Sequence, residues 1–271
     1  MIDNAPKLAF VARPEKTPAW PACFSAEGVS FRLKIRRHTG FTLVEILVVL
    51  AIVSILTSIL LLSIAGTKSS RDLANGAYSI QGALEQARTY AMASGTYTWV
   101  GFFEENASSP GTAGVGQIVV SIVASANGMN LVTAGSGTTL LPSSSLIQVS
   151  KLMKVPNVHL NSVASSAVTR PSIVGTPSTY QVGSANFPNP ATSSWSFLYP
   201  LTAATSSAAQ YTFTQIIQFN PQGDANRIAD NPTQYLEVGL QPAYGNAVGA
   251  GANYAVIQVT GIGGQVITYR P

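Results

Sequence analysis

Gly40-Phe41-Thr42-Leu43-Val44-Glu45-Ile46-Leu47-Val48-Val49-Leu50-Ala51-Ile52-Val53-Ser54-Ile55-Leu56 opens an apolar run that continues almost to Gly66. Between Ile46 and Ala65 the only side chains that are not hydrocarbon belong to Ser54, Thr57, Ser58 and Ser63. A helix of about 20 such residues is long enough to cross a bilayer core. Glu45 interrupts the run near its start. An ionised carboxylate at the edge of a membrane costs several kcal/mol without a partner, so Glu45 is expected to have a partner or a function.

Upstream of this stretch the chain is basic. Residues 1–40 hold Lys7, Arg13, Lys16, Arg32, Lys34, Arg36 and Arg37 against Asp3, Glu15 and Glu27, which accounts for the whole net charge of +4. The eight bases and eight acids that remain leave residues 41–271 neutral. The basic pI therefore argues for a leader held in the cytoplasm, and no nucleic-acid partner is expected. Residues 1–40 also carry Pro6, Pro14, Pro18 and Pro21 without periodic pattern and read as a targeting leader, outside the fold. A later translation start, for example at Val29, would shorten that leader to 29–40. Only 10% of all residues are charged, against roughly 25% in ordinary soluble domains.

With Arg36 and Arg37 ahead of Gly40, Phe41 after it, Glu45 five residues into the chain that follows, and an apolar helix beyond, the junction resembles the signal of type IV pilins and type II secretion pseudopilins. The resemblance implies cleavage after Gly40 by prepilin peptidase and N-methylation of Phe41 by the same enzyme. Glycine at the cut leaves room for a peptidase to approach the bond. The resemblance further implies that Glu45 acts in assembly, its carboxylate meeting the new α-amino group of Phe41 on a neighbouring subunit so that two costly charges neutralise each other. The plainer alternative is a carboxylate that only complements the dipole of its own helix. The single cysteine, Cys23, lies in the leader, so the mature chain would contain no thiol. Many type IV pilins close a C-terminal loop with a disulfide, and its absence here resembles the pseudopilins instead.

Downstream, the spacing predicts one long helix over 41–93, a transmembrane half at 41–65 and an amphipathic half at 66–94. In the latter, Leu73, Ala77, Ile80, Leu84, Ala87 and Ala91 recur on one stripe. Lys68, Arg71, Glu85 and Arg88 are expected to face water, and Gly95 to end the helix in the left-handed conformation. Gly66, Gly76 and Gly82 each cost up to about 1 kcal/mol inside a helix, and Gly66 marks a candidate bend.

The β-rich domain, 95–271, follows. Strands are expected at 96–103, 116–123, 146–149, 194–199, 211–219, 234–239, 254–260 and 265–270, the last two as a hairpin. The expected class is α+β: a long N-terminal helix packed on an antiparallel sheet, pilin-like. Residues 162–193, rich in Ser, Thr, Gly and Pro, read as a surface excursion with little core. The segments Ile217-Gln218-Phe219-Asn220-Pro221-Gln222-Gly223-Asp224 and Tyr235-Leu236-Glu237-Val238-Gly239-Leu240, with the Tyr269-Arg270-Pro271 ending, are similar to the minor pseudopilin H (FimT-like) group and to the pilin-like Verru_Chthon cassette protein D family.

No enzyme is expected. His159 has no nucleophile elbow, His pair or phosphate loop near it in sequence. Asp224, Asn226 and Asp230 form an oxygen-rich loop that makes calcium a weak candidate, since six to eight ligands and the EF-hand spacing are lacking. An Asx-rich turn explains them as well, and no cofactor is expected.

The functional expectation is a minor pilin or pseudopilin. Its partners would be prepilin peptidase, other pilin or pseudopilin subunits, an inner-membrane assembly platform and, before assembly, membrane lipid. It would reside in the inner membrane as a single pass with the C-terminal domain periplasmic, then in a periplasmic or cell-surface filament. The competing expectation is a membrane-anchored periplasmic β-domain binding protein that does not polymerise.

Overall fold

A computed structural model of the chain describes residues 40–131, 139–171, 180–184, 187, 195–203, 205–226 and 234–271, with the side chains of 59–67 and of 139 outside that set. The chain divides into two units, Met1–Ala51 and Ile52–Pro271.

Helix α1 runs Leu43–Ser94. It starts two residues later than the hydrophobic pattern predicts because Thr42 serves as its N-cap. The Thr42 hydroxyl oxygen accepts the Glu45 N–H at 3.2 Å, and the Thr42 carbonyl accepts the Ile46 N–H at 3.2 Å. Helical geometry continues through Gly66, so no melted turn occurs there. At the other end Gly95 takes φ 59°, and the Thr96 N–H closes back onto the Ala91 carbonyl at 3.0 Å, the Schellman pattern that glycine permits. The predicted stripe of Leu73, Ala77, Ile80, Leu84, Ala87 and Ala91 is buried throughout.

The strands are β1 (Thr98–Asn106), β2 (Gly116–Ser125), β3 (Thr139–Leu140), β4 (Leu146–Gln148), β5 (Met153–Pro156), β6 (Val158–Leu160), β7 (Gln181–Val182) and β8 (Trp195–Tyr199), then β9 (Tyr211–Phe213), β10 (Gln215–Phe219), β11 (Ala225–Asn226), β12 (Tyr235–Tyr244), β13 (Ala247–Val248), β14 (Ala255–Thr260) and β15 (Val266–Tyr269). Among the described residues they form three sheets where one antiparallel sheet is expected. The first has the order β11-β10-β1-β2-β4, with β5 also on β2; the second has the order β13-β12-β14-β15, with β6 and β7 also paired with β12; the third is β3-β8-β9. Among the described residues the pairings β12–β7 and β3–β8 are parallel. The terminal hairpin forms as expected, with Val259 opposite Val266.

Alternation along β1 separates two cores. Val100 and Phe102 face the α1 stripe, together with Ile118, Ile217, Leu236, Val238 and Ile257 from the first two sheets. Trp99 faces the other way, toward Trp195, Phe197, Tyr211 and Phe213 of the third sheet. Gly101, on that second face, lies against the stacked rings of Phe197 and Phe213, whose centroids are 4.9 Å apart; a Cβ there would stand 2.6 Å from Phe197 and 2.7 Å from Phe213.

Two expectations are corrected. Residues 211–219 read as one alternating strand, but the chain breaks at Thr214 and changes sheets. Tyr211 and Phe213 pack with the third sheet, while Ile217 and Phe219 pack with the helix. Residues 162–193 are not merely a surface excursion, because Val163, Val168, Val182 and Phe187 are buried there and Gln181–Val182 pairs with β12. Residues 172–179, 185–186 and 188–193 of that region lie outside the described residues.

Candidate functional site

The N-terminal stretch presents a row of uncovered apolar side chains. Phe41 is 76% exposed, and Leu43, Leu47, Leu50, Ile55 and Leu56 are exposed like it. Isolated apolar residues on a surface need no explanation, but a contiguous patch marks a surface that another molecule covers. Gly40 has open space around the position a Cβ would take, and Glu45 is exposed one turn into the helix. Thr42 is the residue that sequence reasoning passed over. Thr42-x-x-Glu45 is the capping-box pattern, in which the threonine caps the helix and the glutamate sits at its third position, and this signal was available in the sequence. The expected membrane span includes 59–65, whose side chains lie outside the described residues. Among the described residues, no helix is long and apolar enough to cross a membrane.

Inside the β domain, ionisable side chains meet in clusters that sequence spacing does not reveal. Glu105 on β1 is fully buried. It accepts hydrogen bonds from Lys154 Nζ at 2.9 and 3.2 Å, from the Tyr211 hydroxyl at 2.8 Å and from the Gly111 N–H. Burial pushes the Glu105 carboxyl up, but the Lys154, Gly111 and Tyr211 hydrogen bonds and the lysine charge together hold it below the usual range. Lys154 is raised by Tyr211 and Glu105, and burial pushes the Tyr211 phenol up. Next along the strand, Glu104 is hydrogen-bonded to Nδ1 of His159 on β6. Between these ties, Asn157 takes φ 61°, donates from Nδ2 to Asp72 on α1 at 2.9 Å and bonds through its backbone to Gly116 and Ala243. The β5–β6 corner is thus pinned to the helix and to both larger sheets.

On the second sheet, Glu237 pairs with Arg170 through both carboxylate oxygens, at 2.7 and 2.9 Å, and both side chains are buried. Gln181 and Gln258 donate to the same carboxylate at 2.7 and 2.9 Å, and Arg170 also donates to the carbonyls of Val163 and Val168. Every oxygen of the acid is engaged, which is what a buried ion pair requires.

Asp224 and Asn226 do not come together as ligands. Asp224 accepts the Gly263 N–H at 2.8 Å and the Asn220 Nδ2–H at 3.1 Å, tying the Pro221-Gln222-Gly223 turn to the terminal hairpin. Asn226 is buried in β11, and Asp230 lies outside the described residues. Among the described residues no group of three or more His, Cys, Asp or Glu side chains is placed to hold a metal ion.

Residues 35–61 match the prokaryotic N-terminal methylation motif. The chain carries a type IV pilin-like signal. The methylation motif covers Gly40, Phe41 and Glu45 and ends at residue 61, within α1. Such a motif implies processing by prepilin peptidase and assembly with other pilins. No curated protein and no solved structure matches the chain. The methylation motif thus bears on the start of α1, while the β domain stands on its own geometry.

Proposed function

We propose that the chain is a minor pilin or pseudopilin, a non-enzymatic structural subunit of a type IV pilus-like or type II secretion filament. The observation that carries this reading is the methylation motif at 35–61, laid over a helix whose first four turns expose large apolar side chains. The exposed run is held in the inner membrane by its apolar surface until the helix is transferred to a filament, where the helices of neighbouring subunits cover it. Prepilin peptidase cuts after Gly40 and methylates the new N-terminus at Phe41. Glu45, set by the Thr42 cap, offers its carboxylate to the Phe41 amine of a neighbour. The inner-membrane platform and its energy source are separate partners, and the β domain is periplasmic before export into the filament.

Mass spectrometry of membrane-extracted protein from cells with and without prepilin peptidase tests the reading. The expected result is a peptidase-dependent N-terminus at Phe41 carrying one extra methyl group. An intact leader in both strains would reject it and leave an anchored binding domain that does not polymerise. Glu45→Ala, in turn, is expected to be cut normally and to be lost from filaments; incorporation at the wild-type level would remove the assembly role.

A further inference from the structure

The terminal hairpin turns between β14 and β15 through Gly261-Ile262-Gly263-Gly264, and at its tip Ile262 is 80% exposed, more than Phe41 at 76%. The turn that carries it is firmly tied. The Gly263 N–H donates to Asp224 at 2.8 Å, the Ala225 N–H to the Gly261 carbonyl at 2.7 Å and the Thr260 hydroxyl to the Ile262 carbonyl at 3.1 Å. Gly263 and Gly264 take φ 74° and 56°, which lets the chain reverse this tightly. An apolar side chain on so rigid a tip loses little entropy when another molecule covers it.

A cleft of about 370 Å³ lies on the other flank of α1, beside the break between β4 and β5. Its floor is apolar, formed by Ala83 on α1, Val120 and Ile122 on β2 and Met153 on β5. Gly82 leaves its side open, with no atom within 4 Å of the position a Cβ would take. On the rim, the hydroxyls of Ser79 and Ser150 already donate to the carbonyls of Asn75 and Lys151, at 2.8 and 3.3 Å. Lys151 itself is exposed there and makes no ion pair among the described residues. The cleft therefore offers apolar surface with one uncompensated positive charge at its edge.

Tip and cleft stand on opposite sides of the docked stripe. Ala83 lines the cleft, and Arg88 lies under the tip, its Cδ 3.2 Å from where a Cβ on Gly264 would stand. These two residues are about 140° apart around α1, with the buried Leu84 between them. We propose, resting on the filament reading above, that Ile262 of one copy seats in this cleft of the next copy. A contact between two different patches of the same chain repeats from copy to copy and builds a ring or an open helical row instead of stopping at a pair. Charge favours the same fit. Asp224, at the base of the tip, makes no ion pair among the described residues, and seating the tip brings this acid toward Lys151. Arg88 packs beneath the same turn with its Nε buried. A polar small molecule is disfavoured, because the four floor residues supply no strong hydrogen-bonding side chain.

Cysteine cross-linking of the full chain in cells tests this, in a Cys23→Ser background so that the introduced thiols are the only ones. Membranes from cells carrying Ser150→Cys together with Ile262→Cys in one chain are expected to give a ladder of dimers, trimers and larger species on oxidation, since each copy then holds both sides of the contact. Either substitution alone is expected to leave the chain monomeric on the same gel. Ile262→Ser, at an exposed position, is expected to keep the wild-type melting temperature and to lower recovery in the filament fraction about tenfold. The proposal is overturned if the double variant gives no ladder, or if Ile262→Ser is recovered at the wild-type level. It is also overturned if Ile262→Cys alone cross-links as strongly as the double variant, which would set two tips against each other. The N-terminus of the same membrane-extracted protein separates the two failures. No ladder from chains cut and methylated at Phe41 removes this contact alone, whereas no ladder from chains with an intact leader removes the filament reading as well.

Discussion

Large apolar side chains in two stretches at the start and middle of α1 meet opposite fates. From Phe41 to Leu56 the large side chains are between 49% and 76% exposed, whereas Leu73, Ile80 and Leu84 are fully covered by the β sheets. The difference lies in what the chain supplies. The second stretch alternates apolar residues with Arg71, Asp72, Gln81 and Glu85, so one stripe faces the sheets and the rest faces water. The first stretch is apolar on every side, and a helix of that kind needs a surrounding solvent or neighbours of like polarity.

Truncation in the second stretch should give the largest effect. Leu84→Ala removes a fully buried side chain and is expected to cost about 2–5 kcal/mol of folding stability by denaturant titration. A loss comparable to that of a surface variant would mean that the helix is not docked on the sheets as described. Gly76→Ala comes next. A Cβ at position 76 would lie 2.9 Å from Val155 and 2.9 Å from Val158, at the pinned β5–β6 corner. Overpacking of about 1–3 kcal/mol should outweigh the helix-propensity gain of up to about 1 kcal/mol, lowering the unfolding midpoint.

The ionic cluster beside that corner predicts a pH dependence. The Glu105 carboxyl is held low in the folded state, so its contribution is present above the unfolded value near 4.3 and is lost as pH falls through the folded one. The Lys154 amine is held high, so its contribution is present below about 10.4 and is lost as pH rises beyond the folded value. Unfolding midpoints measured against pH should therefore show a smaller loss on acidification in Lys154→Met than in wild type, because without the lysine burial pushes the Glu105 carboxyl up. Superimposable acid limbs would separate Lys154 from Glu105.

Smaller effects sharpen the contrast within the helix. Gly82 has open space at its Cβ position, unlike Gly76. Gly82→Ala should therefore stabilise the fold by up to about 1 kcal/mol, a rise in melting temperature where Gly76→Ala gives a fall. Leu47→Ala, in the exposed stretch, should change folding stability by no more than about 0.5 kcal/mol while reducing recovery in the filament fraction. A large folding defect in Leu47→Ala would place that side chain in a core of its own chain.

The glycines show how far local reading reaches. Gly95 was legible as a helix stop because left-handed backbone at a helix end is a local demand that glycine meets at low cost. Gly76 and Gly82 look alike in sequence, and what separates them is a corner formed some eighty residues later by Val155 and Val158. The run at 211–219 carried a sound period-2 signal, but a period does not record a change of partner, so the switch of sheets at Thr214 was not legible. The parallel pairing of β7 escaped notice for a related reason: a two-residue strand has no period to read.

The candidate site divides along the same line. Gly40, Phe41 and Glu45 lie within a few residues of one another, as does the capping pattern Thr42-x-x-Glu45, so their chemistry is written in adjacent positions. Glu105 stands 49 positions from Lys154 and 106 from Tyr211, and Arg170 stands 67 from Glu237. No spacing rule predicts such meetings. Helix periodicity, caps, turns and the apolar anchor follow from interactions within a few residues and were readable along the chain. Which acid meets which base, and where a cleft opens between strand ends, depended on long-range pairing of sheets, which brings distant residues within hydrogen-bond reach after the backbone has been placed.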